Sequence, residues 1–64
     1  MFINIESERI RRYMSRAEMA KALRINVDTL SDWVHKRQPI PAEGLRSLLR
    51  VLDGCSLDYL LKER

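Results

Sequence analysis

The chain has 64 residues, with twelve Lys or Arg against nine Asp or Glu and a formal net charge of +3, which predicts one domain, residues 1–64, near the lower size limit for folding without a staple. With 45% hydrophobic and 33% charged residues, it has the balance of a compact domain rather than a disordered segment. One cysteine, Cys55, and one histidine, His35, exclude an internal disulfide and a Cys/His zinc cluster, and the lack of a signal-like or membrane-spanning apolar run makes the cytoplasm the expected setting.

Asn4 suits the N-cap of a first helix running from about Ile5 to Tyr13, with Glu6 and Glu8 near its positive end and Arg11 and Arg12 near its negative end. Ile10, Tyr13 and Met14 give that helix its inward side, and Met1-Phe2-Ile3 is a small apolar flap before it. Ser15-Arg16-Ala17-Glu18 has the spacing of a capping box, in which the Ser hydroxyl and Glu carboxylate satisfy each other's orphan amides. It opens a second helix to about Leu23, whose Met19, Ala20 and Leu23 share one apolar face. Arg24-Ile25 ends that run. Asn26 is a good N-cap for a third helix, from Val27 to about His35, where Val27, Leu30 and Val34 fall at i, i+3 and i+7 with Trp33 beside them. Ala20 is small where the two helices must approach, and Ile25, Leu30 and Trp33 are large where they must lock. Residues 15–36 thus fit a helix-turn-helix, the unit that lays its second helix into a DNA major groove.

Two prolines make Lys36-Arg37-Gln38-Pro39-Ile40-Pro41 a connection. A fourth helix, about Ala42 to Leu52, repeats Leu45, Leu48, Leu49 and Leu52 at i, i+3, i+4 and i+7, the clearest amphipathic signal in the chain. Gly44 weakens its first turn slightly. Asp53-Gly54 stops it, because Gly54 can take the left-handed conformation a helix end favours. Ser56 caps a last short helix containing Leu57, Tyr59, Leu60 and Leu61. The predicted fold class is all-α, a bundle of about five short helices. Trp33 and the leucines of the fourth helix are expected in the core, Cys55 as a small buried residue and the Arg9, Arg11, Arg12 cluster toward solvent.

In this order and spacing the chain resembles the lambda-repressor-like, Cro/XRE-type helix-turn-helix domains, and small phage-encoded regulators among them. The resemblance runs from Ile5 to Leu61. It is carried by Ser15-x-x-Glu18-Met19-Ala20-x-x-Leu23, by Ile25-Asn26-x-x-Thr29-Leu30-Ser31-x-Trp33, by the proline-containing connection, and by Gly54-Cys55-Ser56-Leu57-Asp58-Tyr59-Leu60-Leu61. It implies a transcriptional regulator, repressor or Cro-like, that binds operator DNA as a homodimer. Base contacts would then come from Asn26, Val27, Asp28, Ser31 and Asp32. Phosphate contacts would come from Arg16, Asn26, Lys36 and Arg37, with Arg16 at the position the family often fills with Gln. Tyr59 and Leu60 are candidate dimer contacts. The short length suits a Cro-like regulator better than a repressor with a sensing domain.

Two departures stand out. Arg24 occupies the turn position where the family usually has Gly; a non-Gly residue in the left-handed region costs roughly 1–2 kcal/mol, a tolerable cost that suggests a slightly different turn. Asp28 and Asp32 put carboxylates on the face that should meet a polyanion, so each needs a cytosine N4 donor or a neighbouring arginine. They motivate a second reading, a protein-interaction module (antirepressor, antitoxin or accessory factor) that uses the same face for a protein partner. An enzyme is not expected, since no nucleophile–base pair and no Gly-rich phosphate loop are present. Neither a cofactor nor a metal is implied.

Overall fold

In the computed structural model, which describes residues 1–63, the helices in chain order are α1 (Ile3–Arg11), α2 (Arg16–Leu23), α3 (Val27–Val34), α4 (Ala42–Val51) and α5 (Leu57–Leu60), with no strand among the described residues. The helix starts follow the capping chemistry of the sequence. Ser15 Oγ accepts from the Glu18 amide at 3.0 Å and the Glu18 carboxylate accepts from the Ser15 amide at 2.8 Å, completing the capping box. Asn26 Oδ1 accepts from the Thr29 amide at 2.7 Å, and Ser56 Oγ from the Tyr59 amide at 3.2 Å.

The ends of α1, α2 and α3 share one device. In α2 the Ile25 amide reaches back to the Ala20 carbonyl at 2.9 Å and the Arg24 amide to Lys21 at 3.1 Å. The same pair recurs as Met14 to Arg9 and Tyr13 to Ile10, and as Arg37 to Asp32 and Lys36 to Trp33. These are Schellman closures, which require a left-handed residue just past the helix. Here that residue is never glycine: Tyr13, Arg24 and Lys36 stand at φ of 57°, 61° and 62°. Arg24 therefore adopts the ordinary left-handed turn, and the slightly different turn expected from its side chain is not formed, because the Schellman bonds hold it there. Gly54, at φ 92°, serves the α4–α5 connection as expected.

Packing follows from three apolar faces. Met19, Ala20 and Leu23 of α2 meet Leu30 and Val34 of α3 and Leu48 of α4, while Ile5 of α1, Leu52 and Leu60 of α5 close the other side. Each large side chain buried this way contributes roughly 1.5–3 kcal/mol. Trp33 is 5% exposed, a core residue as expected. Gly44 does more than weaken a turn. A Cβ there would lie 2.6 Å from the Trp33 ring and 3.0 Å from Ile40, so its absence lets α4 close on the indole.

The first helix departs from expectation. It begins at Ile3, with Phe2 as an N-cap that makes no side-chain bond, and Asn4 lies inside it, donating to the Tyr59 carbonyl at 2.7 Å. The Phe2 amide donates to the Val34 carbonyl at 2.8 Å, so the apolar flap is tied to the end of α3. Ile5 and Glu8 face inward, whereas Ile10 and Tyr13 are 62% and 95% exposed. The reason is geometric: Ile10 lies about 140° round the helix from Ile5, and Ile5 is the residue that α3 and α5 cover. Met14 alone of the expected inward set packs against the core.

The early arginines are mostly absorbed by the fold. Buried Glu8 accepts from Arg12 at 2.5 Å, from the Tyr59 hydroxyl at 2.9 Å and from Arg11 at 3.4 Å. Arg12 also donates to the Asp53 carbonyl at 2.8 Å, tying α1 to the α4–α5 connection. Arg9 bonds Glu6 at 2.8 Å and the Met14 carbonyl at 2.7 Å. Arg12 above all, and Tyr59 next, hold the Glu8 carboxyl down at about 2, well below its usual 4.5.

Candidate nucleic-acid interface

α3 divides cleanly into two sides. Leu30, Trp33 and Val34 are buried and seat the helix on α2, while Asn26, Val27 and Asp28 are exposed at its N-terminal end and Ser31 and Asp32 are half-buried one turn on. Val27 was expected on the apolar face, yet it is 42% exposed. It stands among the polar residues, where an apolar side chain is free to meet a thymine methyl. Asn26 spends its side-chain oxygen on the cap, which leaves its amide donors pointing away from the helix.

The second half of this face is wired together. Arg37 Nε donates to Asp32 Oδ1 at 2.7 Å, and Arg37 Nη2 donates to Ser31 Oγ at 2.8 Å. His35 Nδ1 donates to the Ser31 carbonyl at 2.9 Å, since a carbonyl can only accept. Of the two carboxylates on the face, Asp32 thus carries an arginine partner. Asp28 has no ion pair among the described residues and sits in the first turn of α3, where the helix dipole favours its charge.

Arg16 is the first residue of α2, and its side chain is 64% exposed with only a loose contact of 3.7 Å to Glu6. The Arg16 and Ala17 amides have no acceptor within their own helix. Glu18 occupies the same end, ionised and turned onto the Ser15 amide, which pulls its carboxyl below the usual range. Lys36 points elsewhere: it pairs with Glu63 and stands 5.7 Å from the Phe2 ring centroid. Arg16 and Asn26 thus stand exposed at the N-terminal ends of α2 and α3, the Ser31–Asp32–Arg37 cluster lies along the second half of α3, and Lys36 is drawn toward the N- and C-terminal segments.

At the other end of the chain, Leu60 is fully buried in the monomer core and has no surface to offer a second copy. Tyr59 is 40% exposed, with its hydroxyl committed to Glu8. The residues that sequence reasoning missed are those defined by partners far along the chain: Glu8 as a buried anchor, and Gly44 as the space for Trp33. The bond from Arg37 to Asp32 spans only five positions, but it needs the left-handed Lys36 to turn the chain back.

A buried-and-seated second helix, a left-handed turn and an exposed polar face make this a helix-turn-helix domain of the DNA-binding class. The chain belongs to the helix-turn-helix family, whose model matches residues 5–60, and within it to the Cro-type, lambda-repressor-like domains. That family comprises DNA-binding regulatory domains and is not an enzyme class. No curated protein and no solved structure gives a significant match. No helix among the described residues is long and apolar enough to cross a membrane.

Proposed function

We propose that the chain is a sequence-specific transcriptional regulator of the Cro or repressor kind, placing α3 in the major groove of operator DNA. The observation that carries this reading is the division of α3: Leu30, Trp33 and Val34 anchor it, while Asn26, Val27 and Asp28 are exposed at its N-terminal end and Ser31 is half-buried one turn on. In this reading Asn26 and Val27 meet base edges, Ser31 and Asp32 read one turn on, and Arg16 with the free α2 amides holds a phosphate. Arg37 screens Asp32 and contacts the backbone, and Lys36 contacts it once released from Glu63. A homodimer would then bind two half-sites about one turn apart, roughly 34 Å, with Tyr59 available to the seam.

Selection of bound sequences from random duplex DNA, then titration of the winner across a salt series, tests this. The expected winner has two related half-sites, and Arg16→Ala lowers its affinity and reduces the salt slope by about one. A selection that enriches no sequence defeats the proposal, as does a salt slope untouched by Arg16→Ala for the phosphate role.

One observation favours a second reading, in which the same face binds a basic protein partner: Asp28 is exposed and lacks an ion pair among the described residues. Asp28→Asn separates the two. Loss of one preferred base at a fixed position assigns Asp28 to base readout, whereas a uniform gain in DNA binding assigns it to a partner other than DNA.

A further inference from the structure

Three arginines border one surface cleft away from the exposed side of α3. Between the α2–α3 turn and α4 runs an open cleft of about 620 Å³, bordered by Arg24, Arg46 and Arg50. Arg24 and Arg46 are exposed, and neither has an ion pair among the described residues. Arg50 donates to the Ala22 carbonyl at 3.2 Å, which links α4 to the last turn of α2. The left-handed turn at Arg24 and the missing side chain at Gly44 shape its walls. Its lining includes the partly buried Ile25 and the nearly buried Trp33.

We propose that this cleft is a docking site for an acidic segment of a partner protein, one apolar side chain seated against Ile25 and Trp33 with carboxylates on either side paired to Arg24 and Arg46. Among the described residues Arg24 and Arg46 make no ion pair, and planar bidentate donors match carboxylates. Two features favour a peptide over a DNA backbone. A Leu or Phe side chain covers Ile25 more fully than a deoxyribose can, and Glu43 in the lining opposes an unbroken row of phosphates more than carboxylates spaced to either side of it. The site is separate from the α3 face, so it stands or falls independently of operator binding.

The test is an array of short peptides carrying one Leu or Phe between Asp and Glu residues, beside versions with Asn and Gln or with Lys in place of the acids. Binding is followed by fluorescence of Trp33, the only tryptophan in the chain. The acidic peptides are expected to bind and shift the emission, and to be released at about 1 M salt, where the Debye length is only about 3 Å. Arg24→Ala with Arg46→Ala should weaken them roughly tenfold or more, with helical circular dichroism unchanged because both side chains are exposed. The Trp33 edge should also require the anchor, so a peptide with Leu replaced by Asn should not shift the emission. Equal binding of acidic and neutral peptides, or acidic binding that survives the double substitution, overturns the proposal. So does a double variant that binds no peptide differently but loses DNA affinity and about two units of salt slope, which assigns the cleft to the DNA backbone.

Discussion

Arg37 and Asp32 are joined by a 2.7 Å bond from Nε to Oδ1, with the same guanidinium reaching the Ser31 hydroxyl at 2.8 Å. An exposed pair of this kind adds only about 0–1 kcal/mol to stability, so its importance lies in charge. It cancels one of the two carboxylates that α3 would carry toward DNA, and it fixes the rotamers of two residues on the proposed reading face. Arg37→Ala should leave the melting temperature nearly unchanged and lower DNA affinity about tenfold or more, because a cation is lost and Asp32 is unmasked. Adding Asp32→Asn to Arg37→Ala should recover part of that loss. Anisotropy titrations of the two single variants and the double variant measure the coupling, and strictly additive effects would mean that the pair does not act as a unit.

The left-handed residues past α1, α2 and α3 make a stability prediction of unusual sign. Tyr13 is 95% exposed at φ 57° and its side chain makes no hydrogen bond among the described residues. Tyr13→Gly removes strain of about 1–2 kcal/mol and gives back about 0.4–1 kcal/mol through the more flexible unfolded chain. The net expectation is stabilisation of up to about 1.5 kcal/mol, a rise of up to several degrees in Tm for a domain this small. Tyr13→Ala keeps a Cβ and should give no such gain. Thermal melts of the three proteins decide it.

Gly44 tests the opposite sign. In an open helix, Gly→Ala gains about 1 kcal/mol. Here the new methyl would sit 2.6 Å from the Trp33 ring, and overpacking of this kind costs about 1–3 kcal/mol. Gly44→Ala should therefore unfold at lower urea and move the Trp33 emission maximum. A more stable variant with unaltered emission would show that α4 can back away from the indole freely.

The Glu8 node predicts how stability varies with pH. Its carboxyl is held at about 2 in the folded protein against a usual 4.5. A depressed carboxyl contributes stability that is fully present above the unfolded value and is lost as pH falls through the folded one. Urea midpoints should therefore hold steady down to about pH 4.5 and decline from there toward about pH 2. Tyr59 supplies the alkaline arm, because its hydroxyl donates to Glu8 and its pKa is raised above 10.0. A raised group stabilises below its unfolded value, so this contribution fades as pH climbs past 10.0. Glu8→Gln should be less stable at neutral pH and show a flatter acid limb, and an unchanged acid limb would remove Glu8 as its source.

What the chain's own letters determined were the features set by neighbours three or four positions apart. The Ser15–Glu18 box and the Asn26 and Ser56 caps each close within one helical turn and the leucine repeat of the α4 segment within two, and a pattern of that range is complete in the sequence. The helix-turn-helix followed, because Ala20, Leu30 and Trp33 carry the size pattern of two helices in contact. The tertiary structure decided everything that depends on which face meets which. Ile10 and Ile5 have the same side chain, yet only Ile5 is covered, because α3 and α5 happen to lie on its side. Glu8 became a buried anchor only when α5 brought Tyr59 to it from fifty-one residues away. Leu60 and Tyr59 are adjacent in sequence, yet the fold sinks one in the core and leaves the other at the surface. Likewise Asp28 and Asp32 look alike on one helical face, but the left-handed turn at Lys36 swings Arg37 back onto Asp32 alone. Charge, unlike helix periodicity, is a property of the pair, and pairs are made by packing.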